Sequence, residues 1–118
     1  MTDLIALLST GKGSWTNVIR LIKSQEWDKV YLVTNDFGKD KFNPESNTEL
    51  IVCNMNNESR QLRDEIYNKL KDKVTGPEVA INMCSGTGKE HMALLTAILQ
   101  LGCGIRFVDM NNEKFHEL

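Results

Sequence analysis

The chain has 118 residues, a formal net charge of −2, 41% hydrophobic and 25% charged residues. That length predicts one domain with a single core and leaves little room for a second. The charge excludes a basic footprint for long nucleic acid, although a local phosphate pocket needs only a few cations. No apolar run reaches the length of a membrane span, and the opening "MTDLIALLST" has neither the basic start nor the apolar length of a signal peptide. Cys53, Cys84 and Cys103 form no CxxC pair, which suits reduced thiols and a cytoplasmic location.

In chain order, residues 4–8 (LIALL) are a short apolar run that predicts a buried strand. Ser14 is placed to cap a helix in which Trp15, Val18, Ile19 and Ile22 share one face. A second strand is expected over 30–33. Residues 34–47 carry Gly38 and Pro44 with little periodicity, which reads as loop with at most one helical turn. A third strand at 50–52 precedes asparagines able to cap a surface helix that carries Leu62, Ile66 and Leu70 on one side. Residues 75–77 (TGP) break that helix, and 79–82 (VAIN) predict a central fourth strand. A well-buried helix follows over 90–101 with Gly102 as its C-cap, then a fifth strand at 105–108 and a polar tail at 109–118. Strands alternating with helices predict a Rossmann-like three-layer α/β sandwich around a mainly parallel sheet of five to six strands.

Two segments carry candidate chemistry: "STGKGS" at 9–14 and "SGTGKE" at 85–90. Neither is an NTPase P-loop, which needs a glycine five residues before its Gly-Lys pair and a Ser or Thr after it. Met83 and Glu90 hold those positions around Gly88-Lys89, with the Glu90 carboxylate expected to face the phosphates, and Ala6 and Gly13 hold them around Gly11-Lys12. Cys84 lacks the arginine six residues on that a phosphatase loop requires and reads as a small buried residue. What remains is an anion site. Both loops open helices whose free amides attract phosphate. Gly11, Gly13, Gly86 and Gly88 let the backbone approach a ligand. Ser9, Thr10, Ser14, Ser85 and Thr87 supply hydroxyls, and Lys12 and Lys89 supply charge. If strands one and four pair centrally, the loops become neighbours at the switch point of the sheet.

Residues 79–110, "VAINMCSGTGKEHMALLTAILQLGCGIRFVDM", resemble the signature region of CRISPR-associated Rossmann-fold (CARF) domains. Those have a strand ending in Asn, a T-G-G-T-K/R-like loop, a helix rich in Met, Ala and Leu, and a Gly before the next strand. Asn82, Ser85, Gly86, Thr87, Gly88, Lys89, Met92 and Gly102 stand in that order here, and "LIALLSTGKGSWTNVI" with "VYLVTND" is similar to the family's first strand, ligand loop and second strand. The loop departs from the pattern in reading S-G-T-G-K. The resemblance implies a homodimer that binds a cyclic oligoadenylate across its two-fold axis, and, in ring-nuclease members, cleaves it without metal or other cofactor. The ribose 2′-hydroxyl would attack the adjacent phosphate, with Lys89 steadying the phosphate, Ser9 or Thr10 orienting the hydroxyl and Lys12 close by. Asn82 and His91 would also lie at the ligand. A non-catalytic sensor acting through a partner and an unrelated small nucleotide-binding domain remain as alternatives. The Arg106 and His116 pair is too widely spaced for the ribonuclease pattern of effector domains. Asp36, Asp40 and Glu45 read as solvated, Trp15 as a core or dimer-seam residue, and Lys39, Lys41 and Phe42 as a loop able to fold over a nucleotide.

Overall fold

The computed structural model describes residues 2–9 and 12–118, with Lys12 and Gly13 described by backbone alone. In chain order the elements are β1 (Asp3–Leu8), α1 (Lys12–Ser24), β2 (Val30–Thr34), α2 (Asp36–Lys41), β3 (Thr48–Val52), α3 (Ser59–Leu70), β4 (Glu78–Asn82), α4 (Gly88–Leu101), β5 (Gly104–Asn111) and β6 (Lys114–Glu117). The strands form a six-stranded sheet in the order β3-β2-β1-β4-β5-β6. Every pairing among β1 to β5 is parallel, and β6 returns antiparallel to β5. The expected Rossmann-like three-layer architecture is therefore present.

The alternation of a strand explains the layers. Along β1, Leu4, Ala6 and Leu8 enter one core with Trp15, Val18 and Leu21 of α1, whereas Ile5 and Leu7 enter the other with Leu62, Ile66 and Leu70 of α3 and Leu94 and Ile98 of α4. All five β1 side chains from Leu4 to Leu8 are fully buried, so the strand reads as a continuous apolar run rather than an alternating one. Helix α1 lies on one face and α3 with α4 on the other, and the chain changes face between β3 and β4. This reversal makes the gap between β1 and β4 the switch point.

Several local expectations are revised. Helix α1 begins at Lys12, so Ser14 lies inside its first turn and does not cap it. Its buried stripe is Trp15, Val18 and Leu21, with Ile22 only partly covered, because the helix leans toward its i, i+3, i+6 row. Glu58, not an asparagine, caps α3 by accepting from the Gln61 amide. Residues 34–47 contain a true short helix: the Asn35 side chain accepts from the Gly38 amide, and Thr34 Oγ1 donates to the Leu8 carbonyl. A Cβ on Gly38 would meet Thr34 Oγ1 at 1.8 Å, so only glycine lets α2 sit this close to β2. The polar tail is a β-hairpin. Asn112 and Glu113 turn with φ of 53° and 62°, the geometry of a two-residue hairpin loop, and Phe115 packs on Trp27 with ring centroids 6.2 Å apart. Arg106 holds the new edge by bonding to Glu78 at 3.2 Å and Glu117 at 2.5 Å. Gly102 caps α4 in the left-handed region at φ 80°, as expected. Among the described residues, no helix is long and apolar enough to cross a membrane.

Candidate functional site

The two glycine-bearing loops leave the paired carboxyl ends of β1 and β4, where Ala6 lies opposite Asn82. Thr10, Gly11 and the Lys12 side chain, expected at the ligand, lie outside the described residues. The loops are joined directly. The Ser9 amide donates to Ser85 Oγ at 3.2 Å, and Ser9 Oγ donates to Glu90 Oε1 at 2.5 Å. Ser9, Ser85 and Glu90 are 4%, 1% and 4% exposed, so this joint is sealed from solvent.

Glu90 is where the loop differs most from expectation. It turns away from any phosphate and instead accepts from the Thr87 amide at 3.0 Å, while Thr87 Oγ1 accepts from the Glu90 amide at 3.3 Å. This reciprocal pair is a capping box at the start of α4. The same carboxylate thus stops the helix from fraying and anchors β1 through Ser9. Gly86, at φ 102°, makes room for it: a Cβ there would meet Glu90 Oε1 at 2.9 Å. The Thr87-x-x-Glu90 spacing is a local capping-box signal that the phosphate reading of Glu90 passes over, and the bond to Ser9 has no local signal at all.

The other predicted residues divide by what they already hold. Asn82 Nδ2 donates to the Val108 carbonyl at 2.9 Å and Asp109 Oδ1 at 3.2 Å, and its Oδ1 accepts from the Cys84 amide at 3.1 Å. It ties β4 to β5 and shapes the loop that follows. His91 Nε2 lies 3.0 Å from the Ser85 carbonyl. A carbonyl only accepts, so Nε2 carries a proton and donates there. Lys89 Nζ donates to the carbonyls of Met55 at 2.7 Å and Asn57 at 2.8 Å, across to the loop between β3 and α3. Its ammonium is thus shared between the α4 first turn and that loop. Thr87 and Gly88 are exposed, and Ser14 and Gly86 are partly so, which leaves the rim of the loop open above the sealed joint.

Cys84 is exposed, contrary to its reading as a buried residue, because it sits beyond the end of β4 on the loop. Partial burial nevertheless raises its thiol pKa, and the Asp109 carboxylate adds to the rise, while two backbone amides work against them. It is therefore poorly suited to act as a thiolate nucleophile near neutral pH. Trp15 is 8% exposed and packs against Phe37 and Phe42, with centroids 5.9 and 6.3 Å away. That places Phe42 in the core rather than over a nucleotide. Among the described residues, no three His, Cys, Asp or Glu side chains are grouped to hold a metal ion.

No family model matches the chain, and no curated protein matches its sequence.

Proposed function

We propose that this chain binds a cyclic oligoadenylate, with cyclic tetra-adenylate the first candidate, at a homodimer two-fold axis. We further propose that it cleaves the ring without metal to end type III CRISPR signalling. The observation that carries the reading is the joint between the loops: Ser9 and Ser85 meet at the switch point of the sheet, so two helix N-termini open toward one place. The resemblance of residues 79–110 to CARF domains supplies the ligand class.

In the proposed step the ribose 2′-oxygen attacks the adjacent phosphorus in line. The bond to the 5′-oxygen breaks, and the proton lost from the 2′-hydroxyl ends on that 5′-oxygen, giving a 2′,3′-cyclic phosphate and a 5′-hydroxyl. Ser9, sealed with its proton on Glu90, would hold the first loop in place, and orienting the 2′-hydroxyl falls to its neighbour Thr10. Lys89 would leave the Met55 and Asn57 carbonyls to meet the phosphate, whose negative charge is the stronger partner. Positioning and charge stabilisation together carry this mechanism.

The test is to incubate the protein with cyclic oligoadenylates of several ring sizes in EDTA and resolve the products by mass spectrometry. Linear products ending in a cyclic phosphate are expected. Rings that stay intact at enzyme excess while binding tightly would replace the enzyme with a sensor that signals through a partner, a reading favoured by the Lys89 contacts that hold its ammonium away from the loop rim. No binding of any ring would remove the ligand class and leave an unrelated small nucleotide domain.

A further inference from the structure

A second concavity lies on the same carboxyl edge of the sheet, one strand beyond the joined loops. It has a volume of about 560 Å³ and is walled by residues that follow β2 and β3. Its size falls within the range of about 300–1,000 Å³ typical of small-molecule sites. Its chemistry is the opposite of a phosphate cradle. Asp36 and Glu65 supply carboxylates, Asn35, Asn54 and Asn56 supply amides, and no lysine or arginine lines it among the described residues. The Glu65 carboxylate is already occupied, accepting from the Asn54 amide at 3.1 Å and from Lys69 at 3.1 Å. The Asp36 carboxylate and the Asn56 side chain engage no described group. Asn35 spends its oxygen on Gly38 and keeps its amide protons.

One aromatic ring completes the wall. Phe37 is 46% exposed, one of few large apolar side chains left open on this molecule. Its ring is braced by Trp15 at 5.9 Å, so it offers a supported face rather than a loose one. The pocket is also physically continuous with the first turn of α4, because the carbonyl of its wall residue Met55 is bonded to Lys89.

From these groups we infer that the cavity after β2 and β3 is a nucleoside site, in which Phe37 stacks a purine base and Asp36 accepts from the ribose hydroxyls. A planar base has a π-face for the ring. Vicinal hydroxyls and an exocyclic amine are donors, which the Asp36 carboxylate and the Asn56 side-chain oxygen can take up. The Asp36 carboxylate disfavours an anionic group there, so the phosphate of the same ligand lies outside, toward Thr87–Lys89. This division of one nucleotide between two sites rests on the proposed reading of the joined loops as the phosphate site. The nucleoside end does not.

The probes are adenosine, uridine and inorganic phosphate, each titrated into the ¹⁵N-labelled protein and followed by amide chemical shifts. Adenosine is expected to move the amides of Asp36, Phe37 and residues 54–56 with affinity on the order of millimolar, as suits a fragment. Uridine is expected to bind more weakly through its smaller ring, and phosphate to move residues 87–89 instead. Phe37→Ala is expected to weaken adenosine about 5-fold or more, and Phe37→Tyr, which keeps the ring, to restore it. Asp36→Asn should weaken adenosine but not 2′,3′-dideoxyadenosine. Adenosine that leaves residues 36, 37 and 54–56 unmoved, or that binds Phe37→Ala as well as the native protein, overturns the inference. Because adenosine has no phosphate and is not cleaved, failure of the ring assay leaves this result standing. A ring that binds unchanged to Phe37→Ala would in turn spare the ring reading and remove only the division of one nucleotide between the two sites.

Discussion

The β4–α4 loop and the pocket after β2 and β3 sit side by side on one sheet edge, yet they spend their polar groups differently. In the loop nearly every side chain singled out for phosphate is bonded to the protein itself: Ser9 to Glu90, Asn82 to Val108 and Asp109, Lys89 to Met55 and Asn57, His91 to Ser85. In the pocket Asp36 and Phe37 are exposed, and the Phe37 ring rests against Trp15. A glycine-rich loop with hydroxyls and a lysine is therefore not by itself a vacant anion site. Its groups hold the loop in shape, and Thr87 and Gly88 form its exposed rim. On the pocket wall, by contrast, the Asp36 carboxylate and the Asn56 side chain engage no described group.

The sharpest way to break this contrast is Glu90→Ala. If the loop is chiefly a structural joint, removing its buried carboxylate orphans the Ser9 hydroxyl and the Thr87 amide and opens the capping box. The two losses together are expected to cost about 3 kcal/mol. For a chain of this size that lowers the melting temperature by roughly 10 °C, readable by thermal circular dichroism. Phe37→Ala on the pocket side is expected to move it by far less, since the ring is 46% exposed. Equal effects of the two substitutions would erase the distinction.

Lys89→Ala gives a smaller effect and divides the two roles of one residue. Its ammonium contacts tether the β3–α3 loop, and their loss is expected to cost about 1 kcal/mol in urea unfolding. If Lys89 also steadies the phosphate, the same change lowers ring cleavage by about 100-fold. A stability loss with unchanged cleavage would leave Lys89 as a tether alone.

The pattern of the chain made the layers readable because burial on both sides of β1, β2 and β4 leaves runs that are apolar throughout. The capping box at Thr87 and Glu90 and the left-handed Gly102 are likewise local signals. The joint between Ser9 and Glu90 was not readable, since it spans 81 positions and depends on β1 pairing with β4. Helix α2 reads as at most one turn within a loop because six residues carry too little periodicity, and its close seat depends on Gly38 meeting Thr34. The hairpin was hidden for a different reason. Asn112 and Glu113 are not the Asn-Gly pair that usually marks such a turn, and β6 is an edge strand with one buried-side aromatic, Phe115.

The smallest expected effect tests how dry the pocket floor is. Cys53 forms part of that floor and is 4% exposed. Burial pushes its thiol pKa from 9.0 up to about 12, the Glu65 carboxylate adds to the rise, and Lys69 opposes it. The sign follows from linkage: a group whose folded pKa is raised contributes stability that is whole below the unfolded pKa and lost as pH climbs through the folded one. Cys53 should thus leave stability unchanged at pH 7 and erode it from pH 9 toward about 12. Cys84, Cys103 and Tyr31 are shifted upward by burial too, so the measurement is the difference between the native chain and Cys53→Ala in urea midpoints across that range. The variant should lose stability less steeply above pH 9. Parallel curves would mean that water reaches the sulfur, and that the floor beneath Phe37 and Asn54 is open rather than sealed.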